Sequence, residues 1–101
     1  MSKRSKACDI SPAVREAVYK RDKHSCIVCG TTQNIQVAHF ISRSRGGLGI
    51  EENLGCICLQ HHYDFDNGKY HIEIGQIFEE YLKEHYPEWD KEKLIYKKWS
   101  F

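Results

Sequence analysis

The sequence predicts a small α+β domain pinned by a metal ion: a two-strand-and-helix core flanked by an N-terminal helix and by a C-terminal helix with an aromatic tail. Three observations carry this. The chain has 101 residues, enough for one domain but for only a modest hydrophobic core, a size at which metals or disulfides often add stability. Two short-spaced pairs, Cys26-x2-Cys29 and Cys58-x2-His61, frame its middle in the manner of a closed tetrahedral zinc site. Between and after the pairs, the apolar pattern runs strand, glycine-containing loop, strand, helix.

Residues 1–10 lack periodicity and read as a flexible basic arm, leaving residues 11–101 as the single domain. Ser11-Pro12 supplies an N-cap followed by proline at the first helical position. Val14, Ala17 and Val18 then share one face, so a helix runs to about Arg21 and breaks over Asp22–Ser25. Cys26 to Gly30 reads as a metal-binding turn, with Gly30 supplying permissive dihedrals. Gln33 to Ile41 alternates in part and predicts a strand that carries His39 near its end. Arg43 to Gly49 is a glycine-containing turn, Leu54 to Ile57 an antiparallel partner strand, and Cys58 to about Asp66 a helix stopped by Asn67-Gly68. The strand–strand–helix core thus spans about 35–68. Beyond it, Tyr70 to Ile74 predicts a short strand. Gly75 to about Tyr86 predicts an amphipathic helix burying Ile77, Phe78, Tyr81 and Leu82 and ended by Pro87. The tail, with Trp89, Leu94, Ile95, Tyr96 and Trp99, is too aromatic for disorder and is expected to pack back as extra core.

Cys26, Cys29, Cys58 and His61 make a Cys3His zinc set, each pair spaced so that one turn presents two ligands to the same ion. Binding pins the start of the first strand to the start of the last core helix. Cys56, two residues before Cys58, is assigned to the core as a small apolar residue, and Cys8 is read as a free thiol. The odd count of five cysteines argues against a disulfide framework. The polar start Met1-Ser2-Lys3-Arg4-Ser5-Lys6 does not resemble a secretory signal, so a reducing cytoplasm is the expected location. No stretch approaches the roughly 20 apolar residues of a membrane span.

Charge is split along the chain. Residues 1–50 carry nine Lys/Arg against three Asp/Glu, a net of +6, whereas residues 51–101 carry six against eleven, a net of −5. A basic front half suits contact with a polyanion, though ordinary surface charge explains the split almost as well.

Three polar residues, His39, Asn53 and His62, remain that zinc does not need. His62 is turned about 100° around the helix from His61, and Asp66 lies four residues on, on the same face. Such a pair can ligate one divalent cation, although a surface hydrogen bond is the commoner use of a His-x3-Asp pair. His39 precedes Ser42-Arg43-Ser44-Arg45, where hydroxyls and guanidinium groups beside an imidazole suit a phosphodiester. Asn53 can be read simply as a turn residue.

The combined order narrows these options. The run Cys26-x2-Cys29, Ala38-His39-Phe40-Ile41-Ser42-Arg43-Ser44-Arg45-Gly46-Gly47, Glu52-Asn53-Leu54, Cys58-x2-His61-His62 resembles the HNH endonuclease family, whose ββα-metal finger is often braced by a zinc knot. The match covers about residues 19–68. It implies that His39 is the general base, that His62 holds a catalytic Mg²⁺ or similar cation with Asp66 as a further ligand, and that Asn53 braces the loop carrying His39. Many members carry Asp or His as a metal ligand just before the base; here that position is Ala38. The resemblance further implies DNA as partner, gripped by its phosphates with low sequence specificity. Arg43 or Arg45 is expected to clamp a phosphate. Small proteins of this kind resemble those of bacteriophages, where some assist packaging or recombination, and a double-strand cut would favour two copies, as a homodimer, or two sequential nicks. Two other expectations compete. One is a zinc-stabilised DNA-binding module without catalysis; the other is a structural zinc domain whose aromatic tail docks a protein partner.

Overall fold

A computed structural model describes residues 2–97. The segment expected to be a loose arm is instead helical: α1 spans Lys3–Cys8, capped by the Ser2 hydroxyl accepting from Ser5 N–H at 3.1 Å. Local periodicity could not reveal it, because this short helix is held by what it docks against. Cys8 is buried, and Arg4 Nη2 donates to the Ser44 carbonyl at 2.8 Å. The next helix, α2, spans Pro12–Arg21 with Pro12 in its first turn, and the Ser11 hydroxyl accepts from Val14 N–H at 3.2 Å. Lys23 and His24, both at positive φ, then reverse the chain into the Cys26–Gly30 turn.

Strand β1, Ile35–His39, pairs antiparallel with β2, Leu54–Cys58, in a two-stranded sheet; Val37 faces Cys56 and His39 faces Leu54. Short 3-10 turns at Arg43–Arg45 and Glu51–Asn53 shape the connection. Helix α3, Leu59–Asp66, follows β2 directly and ends at Asn67 before Gly68, which is at positive φ.

The sheet is covered on both faces, as strict alternation requires. On one face Val37, Leu54 and Cys56 meet Val18 of α2. On the other, Ala38 and Ile57 meet Cys26, Phe65 of α3 and Ile74, Phe78 and Leu82. Each fully buried aliphatic or aromatic side chain here contributes about 1.5–3 kcal/mol over exposure. Gly55 lets this second layer close: a Cβ there would stand 2.8 Å from the Phe78 ring.

Ile74, Phe78 and Leu82 belong to α4, which spans His71–His85 and corrects two expectations. Tyr70–Ile74 does not form a strand. Its alternating Tyr70, Ile72 and Ile74 mimic one, but the stripe at Ile74, Phe78 and Leu82 repeats every four residues and sets the helix, leaving Ile72 68% exposed. For the same reason Ile77 faces outward and Tyr81 is only half-buried.

The described part of the tail packs back as expected. Trp89 packs against the second layer and its indole N–H donates to the Glu52 carbonyl at 2.7 Å. Leu94 is buried in a 3-10 turn over Lys91–Leu94, and Ile95 bridges to Gly47. Trp99 lies outside the described residues. No helix among the described residues is long and apolar enough to cross a membrane.

Candidate metal centre and neighbouring histidines

Cys26, Cys29, Cys58 and His61 converge so that their ligand atoms all lie within 4.8 Å of one another. Cys26 Sγ is 3.8 Å from His61 Nδ1, Cys29 Sγ is 3.9 Å from Cys58 Sγ, and Cys58 Sγ is 3.3 Å from His61 Nδ1. Zinc–sulfur bonds of about 2.3 Å give tetrahedral edges of about 3.8 Å, so the donor set and its spacing fit a metal such as zinc. The knuckle turn brings Cys26 and Cys29, and the β2–α3 junction brings Cys58 and His61. Gly30 N–H donates to Cys26 O at 2.8 Å, with Gly30 at positive φ, to close the first turn.

The two buried thiols of this cluster are pushed in opposite directions. Burial pushes the Cys26 thiol up, but hydrogen bonds from the surrounding turns, including Val28 N–H at 3.4 Å, and from His61 outweigh it and bring the thiol to about 7. Cys58, desolvated and beside Cys26, is pushed upward; without a cation, neighbouring thiols cannot all ionise together. Cys56 stands apart. Burial beside the Asp22 carboxylate pushes its thiol up to about 12, and its S–H points to the Val18 carbonyl at 3.8 Å. It is a core residue.

His62, next to the ligand His61, turns away from the cluster. Its Nδ1 meets Gln36 Oε1 of β1 at 2.6 Å, and its Nε2 lies 3.2 Å from Asp66 Oδ2, one helical turn on. The imidazole is therefore held from both ends, with the half-exposed Asp66 carboxylate beside it. Gln36 was invisible to sequence reasoning: its role depends on strand register, which no local motif encodes.

His39 lies at the end of β1, half-buried, and its Nε2 is 2.9 Å from the Cys8 carbonyl at the end of α1. A carbonyl oxygen can only accept, so Nε2 carries the proton and Nδ1 keeps its lone pair. Burial is the largest influence on this imidazole and lowers its pKa below the ordinary histidine value. The Cys8 hydrogen bond opposes that shift, while the charges of Arg43, His62 and Arg15 add to it. His39 is accordingly neutral near pH 7.

Asn53, fully buried, ties together the loop that follows His39. Its Oδ1 accepts from Ile41 N–H at 2.8 Å, and its Nδ2 donates to Ile41 O at 3.1 Å and to Leu48 O at 2.9 Å. Its own carbonyl accepts from Phe40 N–H at 2.8 Å. Ala38 is 1% exposed within the apolar layer, so any ligand at that position would carry its charge into the core.

The two arginines part company. Arg43 turns toward α1, donating through Nη1 to Cys8 O at 2.8 Å and pairing through Nη2 with Asp9 Oδ1 at 2.7 Å. Arg45 lines a shallow cavity on the opposite side of the loop, facing α4 with Phe40, His71 and Lys91. No protein-family model and no curated protein matches the chain.

Proposed function

We propose that the chain is a metal-dependent DNA endonuclease of the HNH type, with β1, β2 and α3 as its ββα-metal finger and the Cys3His cluster as a structural zinc site. The observation that carries the reading is the state of His39: neutral, with Nε2 occupied by the Cys8 carbonyl and Nδ1 left as the free base. A half-buried imidazole with one nitrogen tied down and the other without a partner among the described residues is poised to accept a proton near neutral pH.

In this reading His39 Nδ1 takes a proton from water as the water oxygen attacks phosphorus. The bond from phosphorus to the leaving oxygen then breaks. Phosphodiester hydrolysis also needs charge stabilisation at the non-bridging and leaving oxygens, which a divalent cation such as Mg²⁺ held by His62 and Asp66 would supply. Gln36 orients His62 for that task, in the way that partners of metal-binding histidines usually do. Asn53 keeps the His39 loop in register through the Ile41 and Leu48 backbone. Arg45, exposed on the loop, is the freer of the two arginines to meet a phosphate.

One observation favours a second reading, a zinc-stabilised DNA-binding module that does not cut: buried Ala38 offers no metal ligand beside the base, leaving His62 and Asp66 alone. A plasmid-nicking assay with Mg²⁺, Mn²⁺ or Ni²⁺ separates the two. The endonuclease converts supercoiled DNA to open circles only with divalent metal, and His62→Ala removes the effect. DNA binding that falls steeply with salt, without nicking in any of the three metals, would leave the module.

A further inference from the structure

We propose that α1 is a working wall of this site, whose last carbonyl holds His39 in the base-ready tautomer and holds Arg43 beside it. Its influence on catalysis rests on the endonuclease reading; its control of the His39 tautomer does not.

The last carbonyls of a helix have no partner within it. In α1 the Asp9 N–H closes onto Ser5 O and Lys6 O at 3.1 and 3.2 Å, leaving Cys8 O to accept from elsewhere. It accepts twice, from His39 Nε2 at 2.9 Å and from Arg43 Nη1 at 2.8 Å, which uses both lone pairs of a carbonyl oxygen. Three further contacts fix where that oxygen stands. Arg4 Nη2 donates to Ser44 O at 2.8 Å, Gly49 N–H donates to Ala7 O at 3.0 Å, and Asp9 pairs with Arg43 at 2.7 Å. The fit against residue 49 leaves no slack. A Cβ on Gly49 would stand 2.0 Å from Asp9 O and 3.0 Å from Cys8 O, so the end of α1 would have to move.

The titratable and charged groups that bear on His39 are Arg43, His62 and Arg15, and α1 contributes the Cys8 O hydrogen bond. Displacing α1 removes the acceptor that holds the proton on Nε2, and the neutral ring is freed to exchange between its two tautomers.

The experiment is nitrogen-resolved NMR of the histidine rings in the full chain with zinc bound, on wild type, Gly49→Ala and Arg4→Ala, alongside nicking rates across pH. In wild type, His39 carries its proton on Nε2. In Gly49→Ala it becomes a tautomer mixture, and nicking slows by about 10- to 100-fold while zinc stays bound. Arg4→Ala, a change at an exposed residue that leaves the core untouched, moves both readouts the same way by less, and it decides the question if Gly49→Ala does not fold. A wild-type proton on Nδ1 would overturn the inference. So would an unchanged tautomer in folded Gly49→Ala, or in Arg4→Ala where that variant decides. If the variants shift the tautomer but no protein nicks DNA, the wall stands and the endonuclease reading falls.

Discussion

Arg21 and Asp22, neighbours in sequence, form a two-pronged ion pair in the interior: Nε to Oδ1 at 2.7 Å and Nη2 to Oδ2 at 3.0 Å, with side chains 10% and 0% exposed. Asp22 Oδ2 also accepts from Cys56 N–H at 2.8 Å, and the Tyr81 hydroxyl donates to Oδ1. Arg21 reaches Leu54 O, Glu51 O and the Tyr86 hydroxyl at 2.6, 2.9 and 3.1 Å. Burial works against the guanidinium charge, but Asp22 and Tyr86 outweigh it and raise the Arg21 pKa above its ordinary value. This pair ties α2 to β2 and α4, and so sets the frame in which the metal cluster and the histidines stand.

Removing one partner strands the other. Asp22→Ala leaves a buried guanidinium and an unpaired Cys56 N–H, and is expected to cost about 3–5 kcal/mol. Urea unfolding of the zinc-bound protein checks this; a loss below about 1 kcal/mol, the range of exposed pairs, would show that the network is not structural.

Metal and fold should be linked. The chain is expected to bind one zinc, and chelation should abolish cooperative unfolding, because the Cys3His cluster could hold a metal ion that would pin the Cys26–Gly30 turn to the β2–α3 junction. Cys29→Ala should lose zinc, whereas Cys56→Ser and Cys8→Ser should keep it. Metal analysis of the purified variants reads this directly. Zinc loss in Cys56→Ser with the fold retained would reassign the ligand set.

Activity should depend on pH with a definite sign. His39 must be neutral to act as base, and its pKa lies below the ordinary histidine value. Nicking should therefore be level from pH 7.5 down through about 6.5 and fall only as pH drops through the lower folded value. Stability shares the sign: because the folded state disfavours the imidazolium, the contribution of His39 is fully present above about pH 6.5 and is lost below. A rate limb above 6.5 would mean that another group, or a differently placed His39, sets the profile.

Asn53→Ala should be costly twice over. It leaves Ile41 N–H and two carbonyls without their buried partner, each worth about 1–3 kcal/mol, and it frees the loop after His39. Thermal melts should show the destabilisation, and nicking measured below the melt should slow. Wild-type rate in the folded variant would remove Asn53 from the site.

What was legible in the sequence was what spacing encodes. Cys26-x2-Cys29 and Cys58-x2-His61 converge because each pair sits on a single turn, and Ser11-Pro12 starts α2 because capping is local. The His62–Asp66 contact follows from helix geometry alone. What was not legible depends on distant chain. The helix α1 is too short to announce itself and exists through Cys8, Arg4 and Gly49, so its contact with His39 was hidden too. Gln36 meets His62 only through strand register and the packing of α3 on the sheet. The false strand at Tyr70–Ile74 arose because a two-residue alternation also satisfies the start of a four-residue stripe; Phe78 and Leu82 decide between them.

The role proposed for His39, base of a metal-dependent phosphodiesterase on a zinc-pinned scaffold, is checked by comparing wild type and His39→Ala, each with zinc content measured, in single-turnover nicking of supercoiled DNA with Mg²⁺ or Mn²⁺. Wild type should nick only with the divalent metal, His39→Ala should lose about 10²–10⁴-fold, and both should hold equal zinc. Equal nicking by the two proteins, or none by either, would contradict that role.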